Sequence, residues 1–217
     1  MPDHKHNTRI ALWRGNIYGF LTEAFIRLPN EEFIQRITSP QMQTFLEQLQ
    51  KLDHAKVRKG IGMARDFLNE LGSENNHRIM EELAVDRTRL IRSAGKGKLR
   101  APYEGLYKKK EDTHTIILSV KKFYKRMGIM PISYANDSPD FFCTELDFMK
   151  QLCLMEAEAQ NGLSDIKTIE REFLNQHLGS WIGDYCSAAG ETAKTGFYKG
   201  LLLILEGFVE LEQSYDN

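Results

Sequence analysis

Apolar residues recur at the three-to-four-residue spacing of a helix face along nearly all of this 217-residue chain, and no stretch alternates strictly as a half-exposed strand would. That regularity confines the chain to an all-α fold. A first helix is expected over about 8–28, with Ile10, Trp13, Ile17, Leu21, Ala24, Phe25 and Leu28 on one face and Pro29-Asn30 ending it. A short second helix carries Phe33, Ile34 and Ile37. Ser39-Pro40 then opens a third through Met42, Phe45, Leu46, Leu49 and Leu52, and a fourth is expected over about 53–71. Gly72 offers a left-handed stop and Ser73 a cap for a fifth helix through Ile79, Leu83 and Leu90, ending near Ser93.

From Ala94 to Asp112 the apolar period disappears into glycine, proline and basic residues, so the chain is expected to form a long loop between two helical halves. A sixth helix over about 113–127 closes on Gly128. The sharpest helix start then lies at Ser138-Pro139-Asp140, with a cap, a proline at the first helical position and a carboxylate on the positive end of the dipole. Phe141, Phe142, Leu146, Met149, Leu152 and Met155 follow on one stripe. Ser164 is expected to cap an eighth helix through Ile166, Ile169, Phe173 and His177 or Leu178. Gly179 should interrupt the chain before Trp181, Ile182 and Tyr185, and a last helix is expected over about 195–213. The whole is expected to be a single helical domain, 1–217, of about ten helices.

Catalytic constellations require groups within hydrogen-bond reach, usually at a recognisable spacing. Gly95-Lys96-Gly97-Lys98 lacks the Ser or Thr and the upstream glycine of a phosphate loop, and there is no zinc helix and no nucleophile elbow. Neither an enzyme activity nor a cofactor or metal site is expected. His54, His77 and His114 read as surface or capping residues, and His4 and His6 lie near a terminus. Cys143, Cys153 and Cys186 have no metal-ligand or redox spacing and suit packing in a reducing compartment. No secretory h-region and no membrane-length apolar run is found, so a cytoplasmic protein without stable membrane insertion is expected.

A net charge of −1 gives no global attraction to nucleic acid, yet the charge is strongly patterned. Residues 87–110 carry nine basic side chains against Glu104 alone, and residues 136–172 carry nine carboxylates against three basic groups. The first run makes a nucleic-acid-binding helical module the rival reading, although only Tyr103 and Tyr107 could stack on bases. The second reads most simply as a solvated helix face, and otherwise as an attractor of basic peptide.

Three ordered segments carry a resemblance. Asp86-Arg87-Thr88-Arg89-Leu90-Ile91 with Ala101-Pro102-Tyr103-Glu104-Gly105-Leu106-Tyr107, then Ser138-Pro139-Asp140-Phe141-Phe142-Cys143-Thr144-Glu145-Leu146-Asp147-Phe148-Met149, then Phe173-Leu174-Asn175-Gln176-His177-Leu178-Gly179-Ser180-Trp181 are similar to elements of the TorD/DmsD family. Phe141 stands where that family usually has histidine, Ile91 where it has an aromatic, and Ala101 and Gly105 where it has proline and serine. The resemblance implies an all-helical chaperone that binds the twin-arginine signal peptide or the apo form of a molybdopterin-containing oxidoreductase, holding this precursor for cofactor insertion before export. Monomer and domain-swapped dimer both remain open.

The residues implied for signal-peptide binding are Leu90, Ile91, Pro102, Tyr103, Tyr107, Asp140, Phe141, Glu145, His177 and Trp181. Four of them have a plainer alternative: core for Leu90, His177 and Trp181, and helix-capping charge for Asp140. Tyr103 and Tyr107, on a loop, are least explained by packing. If the loop folds over the helix start at Asp140, a peptide is expected to lay its apolar segment on the tyrosines while its arginines reach Asp140 and Glu145.

Overall fold

The computed structural model describes residues 2–71, 76–92, 99–131, 138–159 and 163–215. These form eleven α-helices and no strand: α1 Pro2–Ile26, α2 Glu31–Ile37, α3 Pro40–Leu49, α4 Ala55–Leu71, α5 Asn76–Arg92, α6 Glu104–Tyr107, α7 Thr113–Met127, α8 Phe142–Glu158, α9 Leu163–Gln176, α10 Leu178–Thr192 and α11 Gly196–Tyr215. The all-α expectation holds. Two compact units are distinguished, one of residues 1–26 and 102–182, the other of 27–101 and 183–215.

Local chemistry sets several helix ends. Asn30 accepts from Phe33 N at 2.9 Å to start α2, and Ser39, followed by Pro40, accepts from Met42 N at 3.2 Å to start α3. Asp112 accepts from Thr115 N at 3.0 Å to start α7, and Gly128, with φ of 65°, ends it in the left-handed region. Gly72, Ser73, Ser93, Ala94, the run Gly95 to Lys98, Asn136, Asp137 and the His4 side chain lie outside the described residues.

In the first unit α1 packs along α8, with Gly15 opposite Cys153 and Phe25 against Phe142 at 5.3 Å between ring centres. That antiparallel register puts Ile10 level with the end of α8. It explains why Ile10, expected on the buried face, is 45% exposed: the covering helix stops there. Leu28, also expected inside, lies beyond α1 and is 58% exposed. In the second unit α4 and α11 form the main seam. A Cβ on Gly60 would collide with the carbonyl oxygen of Gly200, and one on Gly200 with that of Gly60, so the pair of glycines lets these two backbones touch.

Three expectations are corrected. The 94–112 segment is not loop throughout, since it contains α6. The helix expected to start at Ser138 starts at Phe142 instead, with Ser138 to Asp140 in a turn closed by Phe141 N donating to Ser138 O at 3.0 Å. The break before Trp181 falls on His177 rather than Gly179, because Ser180 donates through both its N–H and its hydroxyl, at 2.9 and 2.6 Å, to the His177 carbonyl. Cys143, Cys153 and Cys186 are free thiols buried in the packing. Burial pushes the Cys186 thiol well up, which keeps it protonated and unreactive.

Candidate functional site

Within the first unit the segment from Pro102 to Tyr107 is stitched to the turn before α8 by backbone and carboxylate together. Phe142 N donates to Pro102 O at 3.1 Å, Glu104 N to Asp140 O at 3.0 Å, and Gly105 N to Asp140 Oδ2 at 3.1 Å. The Tyr103 and Phe141 rings meet at 5.4 Å beside a single bridge between the same residues. A four-residue helix with no apolar period exists because these bonds, rather than a hydrophobic face, hold it.

Glu104 then reaches inward and is fully buried. Both its oxygens lie 2.9–3.1 Å from His177 Nδ1, and Lys108 Nζ is 3.2 Å from Oε1. A carboxylate only accepts, so Nδ1 carries the proton donated to Glu104; His177 Nε2 then faces the Ser119 hydroxyl at 3.0 Å. Desolvation lowers the Lys108 ammonium, but Glu111 and Glu104 outweigh it and leave its pKa raised. Glu145, also fully buried, accepts from Trp181 Nε1 at 3.1 Å. Its carboxyl is pushed well above the usual glutamate range, first by burial and then by the charge of Glu104, and so holds its proton. Trp181 stacks against Tyr107 at 5.4 Å, and Tyr124 donates its hydroxyl to Pro139 O at 2.9 Å.

Eight of the ten residues expected to bind peptide, namely Pro102, Tyr103, Tyr107, Asp140, Phe141, Glu145, His177 and Trp181, therefore come together in one unit around a buried polar latch. Leu90 and Ile91 do not join them; they are buried in α5 of the second unit. The expectation that incoming arginines reach Asp140 and Glu145 fails on burial, since the two side chains are 1% and 0% exposed and already accept from Gly105 and Trp181. Of the eight only Tyr103 and Tyr107 are not buried; both are partly exposed beside buried neighbours. The solvated-face reading of the acidic run also fails: Asp140, Glu145, Asp147, Glu156 and Glu170 are all buried, and Arg14 of α1 bridges the last two at 2.6 and 2.9 Å.

Glu104, Lys108 and Ser119 are latch residues that the sequence reading did not single out. One signal was present: Glu104 is the lone carboxylate in a basic run. The departures from the family pattern also find local reasons. Phe141 fills the space between Tyr103 and Phe142 with ring contacts, which suits an apolar side chain. A Cβ on Gly105 would lie 2.6 Å from Thr113 Cγ2, so glycine here is matched to Thr113.

In the second unit Asp86 caps α11 from a distant part of the chain. Its oxygens accept from Lys194 N at 3.0 Å, Thr195 N at 2.7 Å and Thr195 Oγ1 at 2.8 Å, and Arg89 pairs with it at 2.6 Å. Three residues of the basic run are likewise engaged internally: Arg87 is buried, Arg89 sits on Asp86, and Lys108 contacts Glu104, Glu111 and the Gln176 carbonyl, whereas Arg92, Arg100, Lys109 and Lys110 are exposed. The nucleic-acid reading, which needs such charges facing out, is left with those four among the described residues. No group of three His, Cys, Asp or Glu suited to a metal occurs among the described residues, and no helix among them is long and apolar enough to cross a membrane.

Comparison with known proteins gives the following matches. The family model described as nitrate reductase delta subunit matches residues 39–187. A "Chaperone protein TorD" of Vibrio vulnificus is 25% identical over 207 residues, covering 93% of this chain and 94% of its own. A perchlorate reductase assembly chaperone of Dechloromonas aromatica is 29% identical over 113 residues, covering 51% of this chain and 50% of its own. A chlorate reductase assembly chaperone of Ideonella dechloratans is 27% identical over 108 residues, covering 48% of this chain and 56% of its own. With most of its length matched and a helical fold built around the motif segments, the chain belongs to the nitrate reductase delta subunit family, as a maturation chaperone of the TorD type and not an enzyme.

Proposed function

We propose that this maturation chaperone acts in the cytoplasm on the precursor of a molybdopterin-containing oxidoreductase, binding its twin-arginine signal peptide or its apo form until the cofactor is in place. The observation that carries the reading is the convergence of three family-like stretches, around Pro102 to Tyr107, Asp140 to Glu145 and His177 to Trp181, on one latch that carries Tyr103 and Tyr107 on a hydrogen-bonded base. Relatives named as perchlorate and chlorate reductase assembly chaperones support an oxidoreductase client. The latch residues hold the presenting surface in shape, and the tyrosines supply amphipathic rings to the apolar part of the peptide.

Such a holder must also release. Burying roughly 400 Å² of apolar surface gains about 10 kcal/mol gross, of which ordering a flexible peptide cancels several, leaving an affinity of about micromolar. Calorimetry with signal peptides of molybdoenzymes encoded beside the gene tests the reading. Saturable binding lost with Tyr107→Ala is expected; the absence of heat with every peptide, together with failure to co-purify an apo-oxidoreductase, would overturn it.

A further inference from the structure

The second unit holds an open-sided groove of about 530 Å³, within the size range of sites that take side chains or small ligands. Glu70 and Phe67 of α4 line it together with Glu81, Glu82 and Val85 of α5, and the residues leading into α11 complete it. Asp86 and Arg89 also face it but are bound to each other at 2.6 Å. Three glutamates thus remain against Lys194 alone. Their outward partners are weak: Glu82 meets Arg78 at 2.9 Å and Glu81 meets His77 at 3.5 Å, in solvent-exposed pairs one helical turn apart that yield readily to a better-placed cation.

The apolar part of the lining gives the groove a direction. Val85 is 59% exposed on the outer face of α5, and Phe67 is half-buried across from it on α4. A concave surface with excess carboxylate repels phosphate and carboxylate ligands. It suits planar guanidinium groups, which carboxylates grip through two parallel hydrogen bonds, followed by an apolar side chain. We propose that this groove receives the paired arginines of the client peptide, with Glu70, Glu81 and Glu82 taking the guanidinium groups and Val85 and Phe67 covering the apolar residue beyond them. The assignment rests on the signal-peptide reading and deepens it, because the latch carboxylates are closed to solvent and leave the arginines without a place.

The test uses the full chain and two synthetic peptides, one with adjacent arginines followed by an apolar segment, the other with both arginines replaced by glutamine. With the arginine peptide, the double variant Glu70→Gln/Glu81→Gln should lose about tenfold in affinity at low salt and less at high salt, and it should lose almost nothing with the glutamine peptide. Val85→Ser should weaken both peptides by about fivefold, independently of salt. These side chains lie at the surface, and unchanged melting of each variant shows that the fold is intact. If the wild-type chain binds neither peptide, both this assignment and the signal-peptide reading fall. If it binds the arginine peptide and the groove variants bind it equally well, or if only Tyr107→Ala lowers affinity, the groove assignment alone falls.

Discussion

In the first unit Glu104, Asp140, Glu145 and Asp147 are all at or below 1% exposure, whereas in the second Glu70 and Glu81 stand in solvent at the rim of a groove. Both regions are rich in carboxylates, and their roles diverge because of water. A buried carboxylate must be matched by donors or keep its proton, so Glu104, Asp140 and Glu145 are each bound to a partner far along the chain and hold segments together, while Asp147 is bound within its own helix. An exposed carboxylate is stabilised by water and stays available to a visiting cation. Acidic residues near a family motif are thus poor guides to a binding surface until their burial is known.

The sharpest way to break this contrast is to remove a latch carboxylate. Glu104→Ala leaves His177 and Lys108 without their shared acceptor and should cost about 2 to 4 kcal/mol in urea unfolding. A loss no larger than that of a surface substitution would show that the latch does not hold α6 in place. Asp86→Ala, which strands the N–H groups of Lys194 and Thr195 at the start of α11, should cost about 2 kcal/mol by the same measurement.

Glu145 sharpens the contrast through pH. Its folded-state pKa is raised by burial, so the unfolded chain gives up this proton first. The associated stability is complete below the ordinary glutamate range near 4.5 and is lost as pH climbs through that range toward the folded value. Glu145→Gln keeps an acceptor for Trp181 but cannot ionise. The melting temperature of the variant should therefore change less between pH 5 and pH 8 than that of the wild type; equal slopes would mean that Glu145 is ionised inside the fold. The smallest effect is expected outside the latch, where Glu70→Gln should change stability by less than about 0.5 kcal/mol while still reducing binding of an arginine peptide.

Much of the fold was legible along the chain, but the site was legible only as a set of names. The ten candidate residues came from resemblance and loop position, which say that residues matter without saying whether they touch a ligand or each other. Eight of them gather in one unit, and four of these, Asp140, Glu145, His177 and Trp181, have their polar atoms turned inward. The groove lined by Glu70, Glu81, Glu82 and Val85 drew no notice, because its walls come from separate helices whose individual patterns are those of ordinary solvated faces.

The sequence by itself determined the all-α class, the apolar stripes and the helix ends at Asn30, Ser39, Asp112 and Gly128, because periodicity and capping act between residues within about four positions of each other. Tertiary structure alone decided where α8 begins, that α6 exists, and which carboxylates are closed to water. Those outcomes depend on donors far along the chain: Asp140 meets Gly105 across 35 positions, Glu145 meets Trp181 across 36, Glu104 meets His177 across 73, and Asp86 meets Thr195 across 109. Local preference at Ser138-Pro139-Asp140 favoured a helix start, but the Asp140 carboxylate and carbonyl are bonded to a distant segment, and the helix begins at Phe142, three residues after Pro139.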